Sequence, residues 1–488
     1  MSKEITSLKP QAVWNHFYQL TQIPRPTGHT KAVEDHVANF GKALGLEVKR
    51  DKVGNVLIIK PASAGMETAP TVILQSHLDM VPQKNSHVQH DFLKDAIDAY
   101  IDGDKVTARD TTLGADNGIG AAAMMAILED KSLKHGKIEA LFTIDEEVGM
   151  VGAFGIEPGF LTGSVMLNLD TEEEGELCVG CAGGADVNVS FQYKDIESFS
   201  EDVAYKVSLT GLRGGHSGGE IHLGRANANK LLFRFLKDAV SECEACLSSV
   251  DGGSLRNAIP REAFAIVTVP VEEEPYFTDL ADEYAEIIKS EYRGIENNIL
   301  FKVERVSDMP TTIIPEEIQD CLINAVCGCQ NGVISVLQDS AFAGTVETST
   351  NLASVKSEAG LIECKMLARS SSETRKDEIC SSLESIFSLA GAKVEIDGDY
   401  PGWQPNANSK VLHLMSDLYK EMFGKEPVVQ VVHAGLECGI ILAGTGMDID
   451  IVSFGPTIMN PHSPDEFVEI GTVEHFYNYL VKTLERIK

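Results

Sequence analysis

Five stretches of this 488-residue chain carry histidine or carboxylate side chains that a fold could gather. They are Ser76-His77-Leu78-Asp79, Gly114-Ala115-Asp116-Asn117-Gly118, Asp145-Glu146-Glu147, Leu169-Asp170-Thr171 and Asn460-Pro461-His462-Ser463. Imidazole and carboxylate are ordinary zinc ligands, and catalytic sites keep one coordination position open. Two ions about 3.5–4 Å apart need a short carboxylate between them, and Asp116, at a helix start, suits that place. Each ion then takes one histidine and one further carboxylate. The neighbours Glu146 and Glu147 divide the work, one as ligand and the other as a free carboxylate that can act as general base. In His77-x-Asp79 the two side chains share one face of an extended strand. Asp79 can therefore accept a hydrogen bond from the second ring nitrogen of His77. Cobalt or manganese would accept the same ligands as zinc.

Taken singly, each position has a plainer explanation. Asp before a helix is usually an N-cap. Asp170 could cap a turn, Glu146-Glu147 could be a solvated pair, and His77 could be a core histidine. Their joint placement argues otherwise. The apolar runs 71–75, 140–144, 165–169 and 449–454 predict buried strands. His77, the Glu146-Glu147 pair, Asp170 and His462 lie at or beyond the C-terminal ends of those strands, and Asp116 precedes an Ala- and Met-rich helix predicted over 118–129. In open α/β sheets this edge is where ligands bind.

The elements that must position these residues alternate between strand and helix, the pattern of an α/β layer fold. A helix over 10–20 places Trp14, Phe17 and Tyr18 on one face, a second ends near Gly45, and another strand covers 55–59. After Asp170 the texture changes to a long mixed region, and the first pattern resumes after Tyr400-Pro401-Gly402. The expected organisation is a catalytic domain in two pieces, 1–185 and 401–488, interrupted by an inserted domain over 186–400. A chain of 488 residues is too long for one compact core.

With 43% hydrophobic and 23% charged residues the composition is that of a globular protein. The net charge of -32 repels phosphates and anionic lipid, so nucleic acid and membrane are not expected partners. The N-terminus lacks the apolar core of a signal peptide, and no run approaches a membrane span. Ten cysteines include Cys178/Cys181 and Cys243/Cys246, too unpatterned for a zinc ribbon. Reduced core thiols and a cytoplasmic location are the expectation.

The same motifs carry a family resemblance. His77-Leu78-Asp79, Gly114-Ala115-Asp116-Asn117-Gly118, Glu146-Glu147, Asp170 and Pro461-His462-Ser463 resemble the co-catalytic zinc peptidase superfamily that includes the aminoacylases and carnosinases. Longer strings cover nearly the whole chain and resemble the bacterial aminoacyl-histidine dipeptidases within it: Gln75 to Lys84, Gly214-Gly215-His216-Ser217-Gly218-Gly219, Arg256 to Arg261, and His433-Ala434-Gly435-Leu436-Glu437-Cys438-Gly439. The resemblance implies a zinc-peptidase-like domain with a central mixed sheet, interrupted by a ferredoxin-like α/β lid. The insert is longer than one ferredoxin-like unit needs, so an extra lobe is allowed for. Two zinc ions are implied, one held by His77, Asp116 and Asp170, the other by Asp116, Glu147 and His462. Glu146 becomes the base, Asp79 orients His77, and His216 steadies the oxyanion. Asn257 and Arg369 match positions that bind the substrate carboxylate. The implied activity is hydrolysis of dipeptides, including Xaa-His dipeptides such as β-Ala-His. The implied partners are small peptides, with a homodimer as the assembly considered. His433 and Glu437 receive no role.

The Gly211–Gly219 stretch lacks the features of a P-loop or dinucleotide loop. His87 and His90 have no strand end beside them. Ser217 and Ser463 stand beside histidines but not in a GxSxG elbow. An N-acyl amino acid deacylase would use the same metal centre, and a metal-free scaffold would not need every ligand intact.

Overall fold

The computed structural model describes residues 3–339 and 341–488. The chain divides into two compact units. The first comprises Met1–Gly180, Trp403–Val431 and Leu436–Lys488, and the second Cys181–Gly402 and Val432–Gly435. The breaks fall at 180/181 and 402/403, a few residues from those expected. The return of Val432–Gly435 to the second unit had no counterpart in the sequence reading. It follows from tertiary hydrogen bonds: Ala182 N–H donates to the Val432 carbonyl (3.0 Å), and the His433 ring meets the Ser349 hydroxyl (2.7 Å).

The first unit is built on an eight-stranded sheet whose strands, in chain order, are β1 (Glu47–Arg50), β2 (Val56–Lys60), β3 (Val72–His77), β4 (Ile138–Thr143), β5 (Val165–Asn168), β6 (Glu176–Cys181), β7 (Val428–Val432) and β8 (Asp450–Ser453). Their spatial order is β1-β2-β4-β3-β5-β8-β6-β7. The central pairs β4-β3, β3-β5 and β5-β8 are parallel, whereas β1-β2, β2-β4 and β8-β6 are antiparallel, so the sheet is mixed as expected. Every residue of β2, β3 and β4 is buried, which is why these strands read as continuous apolar runs. The helix Ala115–Glu129 buries all but two of its residues, Asp116 and Glu129. Its run of Ala and Met lets it pack on all sides. Beside the main sheet, a four-stranded sheet joins Ala99–Asp102, Lys105–Ala108, Ile458–Met459 and Phe467–Glu469, and the last two flank the loop bearing His462.

In the second unit, residues 202–305 run strand (Asp202–Thr210), helix (Ala228–Cys243), strand (Cys246–Gly253), strand (Ala263–Pro270), helix (Glu274–Glu291), strand (Leu300–Arg305). The four strands lie in the order fourth-first-third-second, a ferredoxin-like arrangement. The extra length does not make a separate lobe. It extends the same sheet to nine antiparallel strands: Val346–Glu358 pairs with the edge of Cys246–Gly253 and is followed outward by Leu361–Ser370, Gly183–Gln192 and Lys393–Tyr400, and Gly332–Val336 also pairs with Val346–Glu358. The exposed edge that one ferredoxin-like unit leaves is thereby covered. One hydrophobic core, including Phe191, Phe235, Phe277 and Phe387, serves the whole sheet.

Candidate metal centre

The five sequence-predicted ligands converge at the C-terminal edge of the first unit's sheet. His77 is the last residue of β3, Asp170 lies two residues beyond β5, and the Glu146-Glu147 pair follows β4. Asp116 sits where the helix Ala115–Glu129 begins. It and Asn117 have non-helical dihedrals, and this departure turns its carboxylate to the cluster. His462 comes from the loop after Ile458–Met459, with a positive φ of 59°.

The two oxygens of Asp116 face different partners. Oδ1 lies 3.0 Å from His77 Nε2, which is also 3.5 Å from Asp170 Oδ1. Oδ2 lies 3.2 Å from His462 Nε2, which is also 2.9 Å from Glu147 Oε2. Two sets of ligand atoms, His77/Asp116/Asp170 and Asp116/Glu147/His462, therefore each gather within 4.8 Å. Glu146 joins a third set with His77 and Glu147 but not the one around His462.

The local field is strongly negative. Against the effect of burial, the Asp170 and Asp116 carboxylates hold His77 well above the usual histidine range. Hydrogen bonds to Asp116 and Glu147 raise His462 to about 11. Burial pushes Glu146 well up, reinforced by Asp170, Glu437 and Glu147. Burial also raises Glu172 to about 8, with Asp116 and Asp170 adding to it. Glu147 Oε1 is buried without a hydrogen-bond partner among the described residues. Crowded, partly desolvated carboxylates with orphaned oxygens need cations. The mixed imidazole–carboxylate donors therefore fit divalent metal.

Asp79 does more than the strand argument foresaw. The strand ends at His77, and the His77 Nδ1 contact is shared between the Asp79 main-chain oxygen (3.2 Å) and its carboxylate (3.4 Å). The carboxylate also accepts from the main-chain N–H groups of Glu146 (3.0 Å) and Glu147 (3.3 Å) and from the Thr27 hydroxyl (2.9 Å). It ties the end of the strand carrying His77 to the loop carrying Glu146 and Glu147.

Several supporting residues were missed from sequence. Asn117 donates to Asp170 and accepts from Ser76. Glu437 is fully buried, accepts from Gln75 (2.6 Å) and Thr143 (2.7 Å), and is pushed by burial to about 8. Arg25 and Glu466 hold the turns around Asp116. Their only sequence signals are an arginine between two prolines and an acid four residues after His462.

The remaining predicted residues belong to the second unit. His216 lies on the two-residue strand Gly215–His216, paired with Ala258–Ile259, and Ser217 N–H donates to the Asn257 carbonyl (2.8 Å). Main-chain N–H groups of Gly218 (3.2 Å) and Gly219 (3.0 Å) donate to His216 Nδ1. That assigns the ring proton to Nε2, leaving it as a donor. A Cβ at Gly218 would come within 2.2 Å of the His433 carbonyl, so this turn requires glycine. Arg369 is 5% exposed and donates to the Tyr400 hydroxyl (2.9 Å), while its Nε lacks a partner among the described residues. Burial, with Arg369 nearby, lowers both His216 and His433, the latter to about 3. The Asn257 side chain is exposed and makes no hydrogen bond among the described residues; Asn257 enters this cluster through its main chain.

Comparison with known proteins gives the class. Residues 73–486 match Peptidase family M20/M25/M40, and the chain belongs to that family. Its metallopeptidases are metal-dependent hydrolases, in keeping with the cluster just described. Among particular relatives, the chain is 45% identical over 486 residues to the cytosol non-specific dipeptidase of Escherichia coli, covering 99% of each. It matches the crystal structure of aminoacylhistidine dipeptidase from Vibrio alginolyticus with a TM-score of 0.94 and 43% identity, covering 100% of this chain and 98% of that one. The resemblance read from the motifs is thereby borne out. A tripeptidase from Staphylococcus aureus, 16% identical with a TM-score of 0.57 and coverage of 98% and 99%, shares the fold. Among the described residues no helix is long and apolar enough to cross a membrane.

Proposed function

We propose that this chain is a two-zinc dipeptidase acting on small peptides, Xaa-His dipeptides such as β-Ala-His among them. The observation that carries the reading is the division of Asp116, whose two carboxylate oxygens face different histidine–carboxylate sets. In this reading His77 and Asp170 complete one set, and Glu147 and His462 the other. Cobalt or manganese could replace zinc in either. Such a pair of ions supplies Lewis acidity toward a carbonyl oxygen and lowers the pKa of water.

The chain's own residues do the rest. Glu146 belongs to neither of the two sets that share Asp116, and its raised pKa suits a group that takes a proton from water and returns it to the leaving amine. Asp79 orients His77 and the Glu146 main chain together. In the second unit, the Nε2–H of His216 has the chemistry to donate to a developing oxyanion. The buried, under-satisfied Arg369 suits a free carboxylate, with Asn257 beside the His216 turn. A lid role for this unit accompanies the reading, as does a homodimeric assembly. The names of the Escherichia coli and Vibrio relatives support dipeptides as substrates, and that of the Escherichia coli relative supports a cytoplasmic location.

The test is a metal-reconstituted activity screen over a dipeptide panel that includes β-Ala-His, beside N-acetyl amino acids and with a chelated control. Metal-dependent cleavage of dipeptides is the expected result. Preference for N-acetyl amino acids would identify a deacylase instead, and indifference to chelator would remove the metal centre from the reaction.

A further inference from the structure

Two buried ionisable side chains of the first unit have no place among the ligands or the base. Glu466, 2% exposed, accepts four consecutive main-chain N–H groups. Its Oε2 takes those of Leu113 (2.7 Å) and Gly114 (2.9 Å), and its Oε1 those of Ala115 (2.7 Å) and Asp116 (3.3 Å). Arg25, also 2% exposed, donates through Nη1 to the carbonyls of Leu78 (2.9 Å) and Asp79 (3.1 Å), and through Nη2 to that of Gly114 (2.5 Å).

Gly114 is gripped from both sides, its N–H by Glu466 and its carbonyl by Arg25. Its φ is +71°, and a Cβ there would stand 2.6 Å from Arg25 Nη2, so the grip requires glycine. Glu466 is itself anchored in the His462 loop: its N–H donates to the Ser463 carbonyl (3.0 Å), and its carbonyl accepts from Thr107 Oγ1 (2.8 Å). The two side chains thus lace together the three segments that carry His77, Asp116 and His462.

We propose that Arg25 and Glu466 are positioning residues of the metal centre, Glu466 fixing Asp116 against His462 and Arg25 fixing Asp116 against His77. This inference rests on the two-metal reading above. Hydrogen bonds to ionised groups are about twice as strong as neutral ones, and several from one rigid head group fix a main-chain turn. A constellation of ligands works only when held within about 0.5 Å of its productive geometry. The two residues brace different sides of Asp116, so their loss has opposite signatures. Loss of Glu466 loosens the Glu147/His462 set, and loss of Arg25 loosens the His77/Asp170 set.

The test is calorimetric titration of the metal-free full chain with Zn2+, with His462→Ala as a reference that assigns the second set. Glu466→Gln turns an amide N–H2 toward main-chain donors. It is expected to weaken the Glu147/His462 set about 10–100-fold, the usual cost of losing a group that orients a ligand, and to leave the other set as in the parent. Arg25→Lys keeps the charge but cannot reach three carbonyls, and the reverse ranking is expected. Should Glu466→Gln fail to fold, Glu466→Asp, one methylene shorter, takes its place. Folded variants that bind both ions as the parent does, or that weaken both sets equally, overturn the inference. A parent that binds fewer than two ions overturns the two-metal reading, and this inference with it.

Discussion

The two units each gather histidines, but in opposite electrostatic surroundings. In the first, Asp116 and Glu147 hold His462 up at about 11, and His77 is held up by Asp170 and Asp116. In the second, burial with Arg369 nearby drives His433 down to about 3 and lowers His216 as well. The residue type is the same; the surrounding charge decides its chemistry. Imidazoles among carboxylates bind a cation, whether a proton or a metal ion that displaces it. An imidazole with its Nδ1 occupied by main-chain donors, beside a buried guanidinium, is a donor for anions. The histidines of the first unit thus suit a cation, and those of the second an anion.

The largest effect should come from removing metal. Chelation is expected to abolish dipeptide hydrolysis, and added zinc to restore it, followed by a peptidase assay beside elemental analysis. Activity that survives complete removal of metal would break the cation half of the comparison. Next in size is Glu146→Ala, expected to lower kcat about 10²–10⁴-fold, the usual worth of a general base, with both ions still bound. Near-normal kcat in that variant would assign the base elsewhere.

The anion half is sharpened by Arg369→Met. Hydrogen bonds to charged groups contribute about 1.5–3 kcal/mol, so KM for a dipeptide with a free carboxylate should rise about 10–100-fold. The corresponding dipeptide amide, which has no carboxylate to lose, should be much less affected. An equal effect on both would mean that Arg369 acts through folding alone.

The smallest effect is a pair of titrations in the metal-free protein. Histidine NMR should show His462 titrating far above 6.5 and His216 below it. The linked stabilities run in opposite directions. The contribution of His462 is complete below about 6.5 and fades as pH rises toward about 11. For His216 the unfolded chain takes the proton first as pH falls below 6.5, so the folded state loses stability there. Similar values for the two rings would dissolve the comparison.

What was legible in the sequence had a local cause. Strands β2 to β5 announced themselves because strands largely buried on both faces are built mainly from apolar runs. His77, Asp116, Glu146, Glu147 and Asp170 stood out because chemistry collects at strand ends and helix starts. The motifs also carried the family. Tertiary structure alone decided what depends on separation in sequence. Glu466 meets Asp116 across 350 residues, Arg25 meets Gly114 across 89, and Gln75 meets Glu437 across 362. A charged side chain in a loop looks the same in sequence whether it is solvated or buried against main-chain groups. Only the fold, by removing water, makes it choose its partners.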